Sequence, residues 1–204
     1  MVGKIGVLAL QGAFAKQSAM LAQIGVPNLE VRYPSELALC DGLILPGGES
    51  TTMTRQILKM GFLEPLKAFS ARAPLFGTCA GMILMAQGGI LGLMDITVTR
   101  NAYGRQCDSF SVPLDLSFSP NPFQAFFIRA PRITSMDSSA VQSLAVHAGE
   151  AVCVQQGFHL AASFHPELTN DPRIHTYFIQ LCIQEKQSLQ RRSPTTPTRS
   201  FQTT

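Results

Sequence analysis

The chain has 204 residues, with 16 lysines and arginines against 13 aspartates and glutamates and a formal net charge of +3. At that length one domain is the default, and it can bury a core without disulfides or metal. Arg191, Arg192 and Arg199 supply the excess charge from a tail, beginning at Ser188, that lacks acidic residues; the body is neutral, and the charge does not argue for nucleic-acid binding. Cys40, Cys79, Cys107, Cys153 and Cys182 form no CxxC pair, so neither a disulfide framework nor a zinc site is indicated and a reducing cytoplasm is expected. The apolar run behind Lys4 is short for a secretory signal, and no run approaches the ~20 residues that span a bilayer.

Residues 4–10 read as a buried first strand, followed by a Gln11-Gly12-Ala13 loop. Residues 14–24 have helical spacing through Phe14, Met20, Leu21 and Ile24. Strands are predicted over 29–33 and 42–45, the second ending in Pro46-Gly47-Gly48. Helices follow over 51–59 and 63–71, and a strand over 74–76. This alternation implies a parallel sheet with helices on both faces. After Gly92 the pattern changes to short β-like runs at 95–100, 126–128, 140–146, 151–155 and 159–163, then a last helix over 172–187. Residues 188–204, rich in Ser, Thr, Pro, Gln and Arg, read as a disordered tail beyond a domain of residues 1–187.

The most informative stretch is Gly77-Thr78-Cys79-Ala80-Gly81, a cysteine between small residues where an apolar strand gives way to a second apolar run. Such a turn suits a nucleophile elbow, with the following helix N-terminus favouring a thiolate. Pro46-Gly47-Gly48-Glu49-Ser50-Thr51 could present backbone N–H groups to an oxyanion. An ordinary turn capped by Ser50 or Thr51 would look the same. Phe164-His165-Pro166-Glu167 places an imidazole at a strand end with a carboxylate beside it, the pairing expected of an oriented general base. His147, His159 and His175 have no such company; His175 reads as a surface or packing residue. The Arg100–Gln106 segment and Phe127-Ile128-Arg129-Ala130-Pro131 read on their own as a surface loop and a strand end, although Arg105 could pair with a substrate carboxylate.

Jointly these motifs supply nucleophile, oxyanion donors and base. The chain resembles the class I, triad-type glutamine amidotransferases. It is most similar to the branch formed by glutaminase subunits of pyridoxal 5′-phosphate synthase. Gly6–Phe14, Pro46–Thr52, Gly77–Gly81, Arg100–Gln106, Phe127–Pro131 and Phe164–Thr169 carry the likeness. The elbow and His-Pro-Glu motifs belong to the whole class, and the Leu-Gln-Gly, Arg-Asn-x-Tyr-Gly-Arg-Gln and Ile-Arg-Ala-Pro segments to the branch.

The resemblance implies a three-layer, flavodoxin-like α/β fold with a mostly parallel central sheet, helices on both faces and a small antiparallel portion. It implies that Cys79 attacks glutamine, that His165 transfers protons and that Glu167 orients it. Gly47, Gly48 and Ala80 would hold the oxyanion, and Gly47, Gly48, Glu49, Arg105, Ile128 and Arg129 would bind glutamine. Gln11 would lie at an interface or on the ammonia path. The partner implied is a synthase subunit that forms a ring assembly and builds pyridoxal 5′-phosphate from a pentose phosphate and a triose phosphate. Docking would set the Gly47-Gly48 turn in its active shape. No cofactor, metal, nucleic acid or membrane is implied. The chain departs from the family pattern at Gln17, where a histidine is usual, at Ser111, where an acidic residue is common, and over a shortened 136–157. Other possibilities are the glutaminase subunit of a different amidotransferase, such as imidazole glycerol phosphate synthase, a partner-independent cysteine hydrolase, or a non-catalytic binding module.

Overall fold

The computed structural model describes residues 2–100 and 109–192. Its centre is a seven-stranded sheet. Strands β1 (Lys4–Leu8), β2 (Asn28–Val31), β3 (Cys40–Leu45) and β4 (Leu75–Thr78) form its parallel half. Across the sheet the order is β2-β1-β3-β4, then β11 (His159–Ala162), β10 (Glu150–Gln156) and β9 (Gln142–His147). β11 pairs parallel with β4, whereas β10 and β9 close the edge in antiparallel fashion.

The parallel strands are apolar on both faces, and their side chains alternate between two cores. Leu43, Leu45 and Leu75 face a core filled by α2 (Ser50–Lys59), α3 (Leu63–Ser70) and α4 (Ala80–Met85). Ile5, Val7, Ile44 and Phe76 face the other, shared with α1 (Phe14–Gln23) and α5 (Arg173–Arg192). A sheet covered on both faces in this way reads as continuous apolar runs rather than alternating ones. In α2 the buried residues Ser50, Met53 and Ile57 form one stripe, as an amphipathic helix requires.

Two small antiparallel pairs flank these cores. β5 (Ile96–Thr99) pairs with β8 (Arg132–Met136), and β6 (Ser109–Leu116) with β7 (Ser119–Ile128). The expected fold class is thus the observed one. Boundaries differ from the sequence expectation in several places. β6, β8 and the first part of β7 were not anticipated, because they are half-exposed and carry Pro113, Pro120 and Pro122. Proline is tolerated in such peripheral strands because it need not donate to a ladder. α5 runs to Arg192, five residues past the expected end. Residues 136–157, expected to be shortened, build β9 and β10.

The carboxyl ends of β1, β3, β4 and β11 lie along one edge of the sheet. In an open α/β sheet this is where ligands bind. It is also where Gln11, Gly47-Gly48, Cys79 and His165 leave their strands.

Candidate active site

Cys79 sits between β4 and α4 at φ +49°, ψ −104°. A side chain held at positive φ stores roughly 1–3 kcal/mol of strain, which its surroundings must offset. Here the Cys79 N–H donates to the Ala162 carbonyl at 2.8 Å. Gly81 lets α4 start directly behind the turn, since a Cβ there would lie 2.0 Å from the Leu45 carbonyl oxygen. The Cys79 thiol faces the Ile128 carbonyl at 3.8 Å. Cys79 is 7% exposed, and the nearby His165 and Glu167 are 8% and 6% exposed.

His165 follows β11, with its N–H donating to the Phe126 carbonyl at 2.8 Å. Its Nδ1 lies 2.7 Å from Glu167 Oε1. Pro166 and Glu167 open a short 3-10 turn, Pro166–Leu168, which folds the carboxylate back under the ring. Glu167 Oε2 has no hydrogen-bond partner among the described residues. Burial works against a charged His165, but hydrogen bonds and Coulomb attraction from Cys79 and Glu167 overcome it and raise the imidazole from 6.5 to about 10. Burial instead pushes the Cys40 thiol up to about 11, the Cys153 thiol up to about 12 and the Cys182 thiol upward as well. Among the described cysteines, Cys79 is the one beside an imidazolium, the setting that activates a thiol nucleophile.

The glycine turn lies against the histidine. A Cβ on Gly47 would fall 2.3 Å from His165 Cε1. The Gly47 carbonyl accepts the Ala13 N–H at 2.9 Å. Because a trans peptide is planar, the Gly48 N–H then points away from the Gly12-Ala13 loop. Gln11 Oε1 accepts the Glu49 N–H at 2.8 Å, so the first loop pins both ends of the turn. Ala80 begins α4, where helix N–H groups lack intrahelical acceptors.

Cys79, Ala80, Gly48, Glu49, Arg129 and His165 line one cavity of about 310 Å³. That is the low end of small-molecule sites, roughly 300–1,000 Å³. At its mouth Arg129 Nη2 lies 3.1 Å from Glu49 Oε1, with the two side chains 62% and 53% exposed. Arg129 is also at positive φ, +42°. The cavity thus gathers the proposed nucleophile and base, Gly48 of the turn, and Ile128, whereas Gly47 packs against His165 and does not line it. Arg105 lies outside the described residues. Arg100, Ser50 and Ile83 also line the cavity, although the sequence motifs assign none of them a site role. Arg100 donates to Thr51 Oγ1 at 3.1 Å; its place at the head of the Arg-Asn-x-Tyr-Gly-Arg-Gln segment was the available signal. His175 is fully buried, a packing residue rather than a surface one.

A parallel sheet that delivers a cysteine elbow, a carboxylate-bound histidine and a glycine turn to one cavity is the architecture of the class I glutamine amidotransferases. The chain belongs to the SNO glutamine amidotransferase family, which it matches over residues 7–184. It is 50% identical to pyridoxal 5′-phosphate synthase subunit PdxT of Deinococcus radiodurans over 189 residues, covering 87% of this chain and 96% of that one. It is 48% identical to the PdxT subunit of Bacillus cytotoxicus over 190 residues, covering 90% and 96%. A solved structure described as a glutamine amidotransferase superposes with a TM-score of 0.81 at 39% identity, covering 87% of this chain and 98% of that one. A protein of Thermoplasma acidophilum described as a GMP synthase subunit, with a TM-score of 0.72 at 18% identity over 94% and 99% of the two chains, shares the fold alone.

Two outcomes follow from this geometry. Gly47→Ala should cut glutamine hydrolysis by about 100-fold or more while the protein stays folded, because the methyl displaces the His165 ring; near-wild-type turnover would contradict the contact. His165 should titrate near 10 in an imidazole NMR series, with a lower midpoint in Cys79→Ala. The folded value is raised, so the associated stability is full below the ordinary 6.5 and is lost as pH rises through about 10. A midpoint near 6.5 in the wild type would refute the ion-pair description.

Proposed function

We propose that this chain is the glutaminase subunit of a pyridoxal 5′-phosphate synthase. It hydrolyses L-glutamine to L-glutamate and ammonia, and delivers the ammonia to a synthase subunit that builds pyridoxal 5′-phosphate from a pentose phosphate and a triose phosphate. The observation that carries this reading is the convergence of Cys79 and a Glu167-bound His165 on one cavity, in a chain half identical to a PdxT subunit.

Catalysis starts from a Cys79 thiolate beside the His165 imidazolium. Sγ attacks the side-chain amide carbon of glutamine, and the carbonyl π electrons move onto oxygen. N–H groups of the Gly47-Gly48 turn and of Ala80 hold that oxyanion; such donors are worth most in a site that excludes water. The intermediate collapses, His165 protonates the departing amide nitrogen, and ammonia leaves a glutamyl thioester on Cys79. Neutral His165 then takes a proton from water, whose oxygen attacks the thioester. Collapse releases glutamate and restores the thiolate–imidazolium pair. Glu167 bonds Nδ1 throughout, so Nε2 is the nitrogen that exchanges the proton.

Glutamine's α-ammonium and α-carboxylate suit Glu49 and the cations Arg129 and Arg105, with Ile128 beside them. In the free site Glu49 and Arg129 pair with each other. An exposed pair of this kind is worth about 0–1 kcal/mol, so the substrate's two charges can replace it at little cost. Gln11, which accepts the Glu49 N–H, would transmit contacts made by the partner to the oxyanion turn. The name of the relatives, a synthase subunit, supports a hetero-oligomeric assembly, here a ring of synthase subunits bearing glutaminases. A cytoplasmic setting is supported by the free state of Cys40, Cys79, Cys153 and Cys182, and no described helix is long and apolar enough to cross a membrane. The catalytic unit is residues 1–187, with the tail beyond it dispensable for chemistry.

Glutamate release from glutamine should rise on the order of 10-fold or more when a pyridoxal 5′-phosphate synthase subunit is added. It should fall by about 1,000-fold or more in Cys79→Ala under the same conditions. Absence of stimulation, or a fully active Cys79→Ala, would contradict the assignment.

A further inference from the structure

Beneath the elbow lies a buried polar network that the triad chemistry does not use. Gln17, on α1, and Thr78, the last residue of β4, are both fully buried. The Gln17 side-chain amide donates to Thr78 Oγ1 at 3.2 Å. Its oxygen faces His175 Nε2, on α5, at 2.7 Å. A carboxamide that gives its N–H to Thr78 must offer its oxygen to His175, so His175 carries its proton on Nε2. His175 Nδ1 has no partner among the described residues. Burial keeps this imidazole neutral, down to about 4, and its ring packs edge-on against Phe76.

The network reaches the site from both sides. Thr78 immediately precedes Cys79 and is paired with Ala162 across the sheet. One turn before Gln17, the Ala13 N–H holds the Gly47 carbonyl at 2.9 Å, and the Gln17 N–H bonds back to the Ala13 carbonyl at 3.2 Å. Gln11 holds Glu49 from the same segment. Residues 11–17 therefore touch the glycine turn at one end and the nucleophile strand at the other. A buried carboxamide is a poor way to gain stability, because apolar partners of the same shape would serve as well. What it adds is one fixed orientation and length.

We infer that Gln17 is a positioning residue for the glutaminase reaction: by tying α1 to Thr78 it sets the spacing between the Gly47-Gly48 turn and Cys79, and His175 holds its carboxamide in the orientation that does so. This rests on the glutaminase reading above. Gln17 acts through Thr78 and the α1 loop and does not itself touch substrate.

The test compares Gln17→Met, Gln17→Met/His175→Leu and Thr78→Val with wild type. Each is assayed for its urea midpoint and, with the synthase partner present, for glutamine hydrolysis. All three should lose on the order of 10–100-fold in kcat, as small misplacements of reacting groups do, with KM within about two-fold of wild type. Gln17→Met should also lose stability, because it strands the His175 Nε2–H. His175→Leu in that background should restore the midpoint but not kcat. Recovery of kcat together with stability would show a purely structural network and overturn the inference. So would wild-type kcat in the near-isosteric Thr78→Val, which keeps the question answerable if the other variants fail to fold. Failure of wild type itself to release glutamate would overturn the glutaminase reading; active wild type with unimpaired variants overturns this inference alone.

Discussion

The hydrogen bond from the Cys79 N–H to the Ala162 carbonyl is the constraint on which the site depends. It continues the parallel pairing of β4 with β11 by one residue past the last strand position, Thr78 opposite Ala162. The nucleophile and the strand that carries His165 therefore leave the sheet at the same level. A second bond, from the His165 N–H to Phe126, fixes the histidine backbone against β7. Cysteine and imidazole are thus placed by ladder geometry rather than by free loops, which is how a site keeps its reacting atoms aligned.

That rigidity allows the strain and the charge to coexist. Cys79 and Arg129 both hold positive φ without being glycine, and each faces the cavity. Inside, the His165–Glu167 pair is nearly dry, so removing either partner would strand a buried charge; such losses run to about 3–5 kcal/mol. At the mouth, the Glu49–Arg129 pair is half exposed and weak, free to exchange partners. The site is firm where protons move and adjustable where an amino acid must enter.

Much of this was legible in the chain. The runs of β1, β3 and β4 are largely apolar and each gives way within four residues to a glycine-bearing turn, so the fold class and the turns could be read directly. Cys79, Gly47-Gly48 and His165-Pro166-Glu167 each lie at such a strand end, which made the triad visible before any contact was known. β6 and β8 were not visible, because each has a wet face and β6 is also interrupted by Pro113, so neither carries a strong apolar pattern. Nor could pairings across the fold be read, such as Glu49 with Arg129 or Gln17 with His175. Gln17 stood out in sequence only as a departure from the family's usual histidine, and its buried pairing with His175 comes from the packing of α1 against α5. Arg105 lies outside the described part of the chain, and its assignment rests on the Arg100–Gln106 motif.

The central claim is that glutamine loses its ammonia by forming a thioester on Cys79. Acid-quenched mass spectrometry during turnover with the synthase partner tests it most directly. The account predicts a glutamyl adduct on the peptide that contains Cys79, absent in Cys79→Ala and depleted as glutamine is exhausted. Glutamate release with no adduct at Cys79, or with the adduct on another residue, would contradict it.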